Sequence, residues 1–249
     1  MNTVILTMGG SGTRFGANIP KQFTLIDDVP IFAYLLKKIN DSNIIDKIVI
    51  VTNGDFVDYT KEWVEKINAN KVYDVVVGGA SRSESVFNGL KCMKKYANDN
   101  DIVLIHDATH PYFDYEGTEK VVEAIKLYDA ASLVSCEYDT VYVQDEDTNF
   151  IENEIPKKKV VVGASPEGFK FGKIYDIYAN TPYEDLEYMS SAGVLAIENN
   201  MRLKAIPTST LNIKITYPED MKLFLELFGT YFFKEEQKNI KKLIKKEGN

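Results

Sequence analysis

A stretch near the start of the chain, VILTMGGSGTRFGANIPKQF from Val4 to Phe23, holds residue types able to manage a polyanion. Gly9, Gly10, Gly12 and Gly16 let the backbone take positive φ and come close to a bulky ligand. Backbone N–H groups in such a loop form a concave anion site, and Arg14 and Lys21 add two fixed positive charges. The chemistry this implies is the binding of a polyphosphate. A second glycine segment, Gly78-Gly79-Ala80-Ser81-Arg82, and the pair His106-Asp107 add a further loop, a cation and a carboxylate.

These residues need a scaffold that brings them to one edge. Val4 to Leu6 reads as a buried strand leading into the first loop. Pro30 to Ile39 has helical spacing, Asp46 to Thr52 is a β-branched strand, and Asp55 to Ile67 suits a helix with Trp63 on its inner face. Tyr73 to Val77 is a strand entering the second glycine loop, followed by a helix from Ser83 to Tyr96. Asp101 to Ile105 is a strand ending at His106-Asp107, Thr118 to Tyr128 a helix, and Ala130 to Cys136 a strand. The alternation predicts an α/β fold with a mainly parallel sheet and helices on both faces. Ligands in such sheets sit beyond the carboxyl ends of the strands, where both glycine loops and His106-Asp107 fall.

Tyr138 to Ile155 breaks the alternation with a hairpin signature, Thr140 to Val143, a turn at Asp145 to Asn149, then Phe150-Ile151. It is too polar to be central and is expected to project as an arm. Val160 to Val162, Val194 to Ile197 and Leu203 to Ile206 are expected as short strands, with helices at Phe171 to Asn180 and Pro218 to Phe228. The tail from Lys234 is rich in lysine with a weak apolar stripe at Ile240, Leu243 and Ile244. One domain over residues 1–249, with 138–156 as an arm, is the simplest organisation.

Composition narrows the classes. The 249 residues are 45% hydrophobic and 27% charged, with a formal charge of −8. That balance argues against general affinity for nucleic-acid backbones and leaves room for a local cationic pocket. Cys92 and Cys136 offer neither a disulfide framework nor a cysteine-based metal cluster. No run approaches a membrane span, so a soluble cytoplasmic protein without a membrane partner is expected.

Several readings of the first loop compete. A dinucleotide turn fails the G-x-G-x-x-G spacing, because Phe15 stands where the third glycine belongs, and Thr52-Asn53 supplies no acidic residue after the second strand. A Walker A loop would need Gly-Lys-Ser/Thr. His106 and His110, the only histidines, do not make a zinc site with Asp107, since Pro111 disfavours the helix that would align them. His106 is read instead as a structural hydrogen-bonding residue.

Taken together, Thr7 to Gly16 with Pro20-Lys21-Gln22 resembles the signature of cytidylyltransferases that make CDP-linked polyols, the methylerythritol-phosphate and ribitol-5-phosphate enzymes. The resemblance continues in order through Gly78 to Val86 with Asn88-Gly89-Leu90, His106 to Pro111, Asp139-Thr140, and Asn212 to Thr216 with Pro218-Glu219-Asp220. It implies a Rossmann-like nucleotidyltransferase domain and a homodimer whose β-arms exchange. It implies transfer of CMP from CTP to a sugar or polyol phosphate, releasing pyrophosphate, with Mg²⁺ held at Asp107. By the same resemblance Arg14, Lys21 and Lys214 are catalytic. Met8, Gly9, Gly10, Gly12, Gly79, Ala80, Arg82, Ser85 and Asp107 bind the nucleotide, and His110, Thr140, Lys157 and Ser165 bind the acceptor.

The departures from the family pattern lie on the acceptor side. His110 stands where arginine is usual, and Lys157 also replaces an arginine, losing bidentate grip on a phosphate. Gly163-Ala164-Ser165-Pro166-Glu167 replaces a Gln-Thr-Pro-Gln segment, so Glu167 brings a negative charge, and Thr-Asp-Asp has only Glu184-Asp185 as a counterpart. The expected acceptor is therefore ribitol 5-phosphate or another polyol phosphate of a surface polymer, with methylerythritol phosphate as the alternative. A non-catalytic nucleotide-binding protein, a dinucleotide-dependent oxidoreductase and a transferase using another nucleotide are the rival classes.

Overall fold

A computed structural model describes residues 1–10 and 19–247. Gly12, Arg14 and the rest of the loop from Ser11 to Asn18 lie outside the described residues.

The centre is a seven-stranded sheet in the order β11-β7-β10-β6-β1-β4-β5. Its strands are β1 (Asn2–Met8), β4 (Lys47–Thr52), β5 (Val72–Val77), β6 (Ile102–Asp107), β7 (Ala130–Cys136), β10 (Val161–Lys170) and β11 (Leu203–Pro207). β5, β4, β1 and β6 are mutually parallel, as are β7 and β11. β10 runs antiparallel between β6 and β7. The mainly parallel α/β expectation is met. The central β10 is the departure, since its sequence reads only as a short strand at Val160 to Val162. Gly163, Ser165, Pro166 and Glu167 hide its continuation.

Period-two alternation distributes the strand side chains to two faces. Val4, Leu6, Ile48, Ile50 and Leu104 join one apolar cluster, and Ile5, Val49, Val51, Val103 and Ile105 the other. The first face is covered by α1 (Ile31–Asp41), α2 (Val57–Lys66), α4 (Tyr115–Tyr128), α8 (Pro218–Leu227) and α9 (Lys234–Glu247), with Trp63 packed inward. The second face is covered by α3 (Arg82–Met93), α5 (Phe171–Asn180), α6 (Tyr183–Tyr188) and α7 (Ala192–Glu198). At Gly89 a Cβ would stand 2.7 Å from Ile5 Cγ2, so α3 lies against β1 closely enough to demand glycine.

Val194 to Ile197 is helical, correcting the expected strand. Ser191 caps α7 by accepting from Val194 N–H, and Ala192, Leu195 and Ala196 turn to the core at helical spacing. A short apolar run cannot separate strand from buried helix by pattern alone. β8 (Val141–Gln144) and β9 (Ile151–Ile155) form a separate, largely exposed two-stranded ribbon, as the hairpin signature predicts. The lysine-rich tail is ordered as α9: Ile240 is fully buried, and Gln237 and Lys241 both bond Asp27. Asp27 belongs to the turn between β2 (Leu25–Ile26) and β3 (Val29–Pro30), just beyond Lys21.

Candidate nucleotide-binding site

Parallel pairing sets the carboxyl ends of four strands level. Thr7 of β1 pairs with Asp107 of β6, Met8 with Thr52 of β4, and Thr52 with Val77 of β5. Strand order reverses direction at β1, the topological switch point where open α/β sheets leave a crevice. A cavity of about 500 Å³ opens there. Among the described residues it is lined by Met8, Gly9, Gly10, Lys21, Gly79, Ala80, Arg82, Ser85, Asp107 and Lys214, all named from the sequence. Thr7, Gln22, Asn53, Ser81, Thr109 and Thr216 line it as well.

Asp107 is the electrostatic centre. Thr7 Oγ1 donates to its Oδ1 at 2.7 Å, a contact that follows from the strand register. Arg82 Nε lies 3.1 Å and 3.3 Å from its two oxygens, Arg82 Nη2 3.1 Å from Oδ1, and Lys214 Nζ 3.4 Å from Oδ2. Burial alone would raise the pKa of this carboxyl. The neighbouring Arg82 and Lys214 charges and the Thr7 hydroxyl outweigh it and hold the group well below the usual carboxylate range. Asp107 is therefore a permanent anion in a cationic surround.

Each cation is positioned by its element. Ser81 caps α3 by accepting from Glu84 N–H, which starts the helix where Arg82 faces Asp107. Lys214 is anchored by Ile215 N–H donating to Thr109 O at 2.8 Å, across the turn that follows β6. Lys21 opens a single 3₁₀ turn, Lys21–Phe23. The next residue, buried Gln22, donates from Nε2 to Met8 O at 2.7 Å and Gly10 O at 3.2 Å. That amide ties the start of the first loop to the Lys21 segment. In the second loop, Gly79 N–H donates to Ser85 Oγ and Ala80 N–H to Glu84 Oε2, so these two amides are engaged by side chains of the first turn of α3.

The residues expected on the acceptor side fall elsewhere. His110 and Ser165 are buried behind Asp107, off the cavity wall. Asp107 N–H donates to Ser165 Oγ at 3.3 Å, Asn212 Nδ2 donates to Ser165 O at 2.9 Å, and His110 Nδ1 meets Asn212 Oδ1 at 3.1 Å. Burial lowers the His110 pKa, outweighing the nearby Asp107 charge and the Asn212 hydrogen bond. His106 is fully buried with Nε2 2.9 Å from His110 O, the structural role read from the sequence. Thr140 lies on the exposed arm and Lys157 just after it, Lys157 Nζ donating to Tyr138 O at 3.1 Å. Neither lines the cavity of its own chain. Glu167 is buried and takes Arg82 Nη2 at 3.4 Å, which neutralises the charge that departs from the family pattern.

Thr7 and Gln22 fall within the first-loop signature but carry no role from sequence. The signal for Thr7 was its place one residue before Met8, level with Asp107. Thr109 and Thr216 flank named residues and give no signal of their own.

Known proteins of the same build are found. The 2-C-methyl-D-erythritol 4-phosphate cytidylyltransferase (IspD) family profile matches residues 2–226. The enzyme of that name from Clostridium acetobutylicum is 34% identical over 222 residues, 89% of this chain and 94% of the relative. Its counterpart from Clostridium botulinum strain 657 is 33% identical over 221 residues, 88% of this chain and 94% of the relative. The crystal structure of 4-diphosphocytidyl-2C-methyl-D-erythritol synthase from Anaerococcus prevotii superposes with a TM-score of 0.75 at 24% identity, covering 91% of this chain and 96% of that one. Ordered motifs, level strand ends and a cationic cavity around one carboxylate agree with these likenesses. The chain belongs to the 2-C-methyl-D-erythritol 4-phosphate cytidylyltransferase family of nucleotidyltransferases.

Proposed function

We propose that the cavity binds CTP and transfers its CMP unit to a polyol phosphate, with 2-C-methyl-D-erythritol 4-phosphate as the acceptor. The observation that carries this is the convergence of Lys21, Arg82 and Lys214 on a cavity whose wall holds the ionised Asp107. The names of the relatives supply the acceptor, and they favour methylerythritol phosphate over the ribitol phosphate expected from the departures.

In this reading an oxygen of the acceptor phosphate attacks the α-phosphorus of CTP and the bond to pyrophosphate breaks. Negative charge accumulates on the phosphoryl oxygens, so positioning and fixed cations do most of the work. Lys21 and Lys214 stabilise that charge, joined by Arg14 of the first loop. Gly9, Gly10 and Gly12 admit the triphosphate, and the Gly79-Ala80 segment with Ser85 receives the base and ribose.

Among the described residues, no group of three metal-ligating side chains comes together. The single ionised carboxylate among the described residues of the cavity wall suits Mg²⁺ held through one carboxylate and ligand phosphates. Asp107 is the residue that would hold it, and the ion would neutralise phosphate charge. The exposed arm, residues 138–156, carries Thr140 and leads into Lys157. Reaching a cavity would require a second chain, which supports a homodimer through the arm.

A second reading keeps ribitol 5-phosphate or another polyol phosphate of a surface polymer as acceptor. It is favoured by His110, buried off the cavity wall at a position where the family pattern has arginine. Pyrophosphate release from CTP, measured with methylerythritol phosphate, ribitol 5-phosphate and other pentose or polyol phosphates, decides between them. Best turnover with the first supports the proposal. Best turnover with ribitol phosphate replaces it by the second reading, and no turnover with any acceptor refutes catalysis. Repeating the screen with UTP, ATP and GTP tests the base.

A further inference from the structure

Glu167 has no counterpart charge in the family pattern, yet it is one of two carboxylates that answer the Arg82 guanidinium. Nη2 of Arg82 lies 3.1 Å from Asp107 Oδ1 and 3.4 Å from Glu167 Oε2. Nε is committed to Asp107. Nη1 is enclosed and has no hydrogen-bond partner among the described residues. Glu167 is itself fixed, because its Oε1 accepts Gly193 N–H at 3.0 Å. A Cβ on Gly193 would stand 2.6 Å from that oxygen, so glycine is needed for the approach.

We propose that Glu167 is a positioning residue that shares Arg82 with Asp107 and thereby strengthens the hold of the Asp107 carboxylate on a divalent cation, beyond what the uncharged glutamine of the family pattern provides. This rests on the reading of the cavity as a metal–CTP site. Arg82 held between two anions binds each less tightly than it would bind one. Without the Glu167 charge, Arg82 would turn wholly to Asp107 and compete with the cation for it. The loss of a nearby anion lowers cation affinity in the same direction. Metal-free CTP, a polyanion, would gain from the same change.

Two variants separate charge from structure. Glu167→Gln keeps the side-chain length and an acceptor for Gly193 N–H but removes the charge. Glu167→Asp keeps the charge but shortens the reach to Gly193. The readout is Mn²⁺ affinity in the presence of CTP without acceptor, from the paramagnetic resonance signal of free Mn²⁺, with CTP affinity in EDTA and thermal melting alongside. The expected result is Mn²⁺ binding ~5-fold weaker in Glu167→Gln and within ~2-fold of the parent in Glu167→Asp, with metal-free CTP no weaker in Glu167→Gln. A purely structural role reverses the order, Glu167→Asp being the more damaged, and would overturn the proposal. Equal Mn²⁺ binding by parent and Glu167→Gln also overturns it, while the metal–CTP reading survives. A parent that binds no Mn²⁺ with CTP overturns both. Should Glu167→Gln fail to fold while Glu167→Asp binds normally, the same side chain serves structure and the proposal falls.

Discussion

His110 Nδ1 and Asn212 Oδ1 stand 3.1 Å apart in the buried layer behind Asp107, and the same asparagine donates to Ser165 O at 2.9 Å. Asn212 thus joins His110 and Ser165, two residues expected from the sequence to bind the acceptor. Ser165 in turn accepts the Asp107 backbone N–H. His110 and Ser165 thus belong to the layer that supports the site carboxylate rather than to the cavity wall.

Asn212→Ala should therefore act on stability. It removes the acceptor for one buried donor and the donor for one buried carbonyl, each worth about 1–3 kcal/mol when left unpaired. A loss of about 2–4 kcal/mol in urea unfolding is the expected outcome. A loss under about 0.5 kcal/mol would mean that the relay is not structural.

Stability should fall as pH drops below neutrality. Burial pushes His106 from its ordinary 6.5 down to about 4, overcoming the hydrogen bond to His110 O. The unfolded chain takes up a proton near pH 6.5 while the folded chain does not until about 4, so folding is weakened as pH falls through that window. The span corresponds to a loss on the order of 3 kcal/mol. Asp107 adds a second loss below its ordinary 3.8, because its folded-state value is depressed. Denaturant unfolding from pH 7 to 4 should show the slope, and His106→Asn should flatten it. An unchanged slope in that variant would place the proton uptake elsewhere.

Lys21→Ala and Asp107→Asn should each lower turnover of CTP by roughly 100-fold or more, since each removes a fixed charge from the site. Lys21→Ala should melt within a few degrees of the parent. Steady-state kinetics with circular dichroism is the check. Near-normal turnover of Lys21→Ala would remove that residue from the catalytic machinery.

The tail helix should contribute through packing rather than charge. Ile240 is fully buried against the first apolar cluster, so Ile240→Ala should cost about 2–5 kcal/mol. Asp27 pairs with Lys241 at 2.9 Å between side chains that are each about half exposed, so Asp27→Ala should cost less than about 1 kcal/mol. Chemical denaturation of the two variants tests the ranking. The reverse order would show that the turn contact, not the core, holds α9.

Local pattern in the chain determined much of this molecule. β-branched runs with period two specify β1, β4, β5 and β6, because the residues that alternate faces are adjacent in sequence. Glycines followed by cations marked both loops, and ten of the expected nucleotide and catalytic residues line the cavity. Tertiary structure alone decided the rest. Thr7 meets Asp107 only because two strands a hundred residues apart pair in that register. β10 enters the centre of the sheet antiparallel although only its start, Val161-Val162, reads as strand, since pairing on both sides outweighs weak local propensity. Val194 to Ile197 becomes helix because its neighbours offer a face to pack against and Ser191 supplies a cap. Glu167 reads in sequence as an unmatched charge, and its partner Arg82 lies 85 residues away. Electrostatic balance of that kind depends on distance in space, which a linear pattern does not contain.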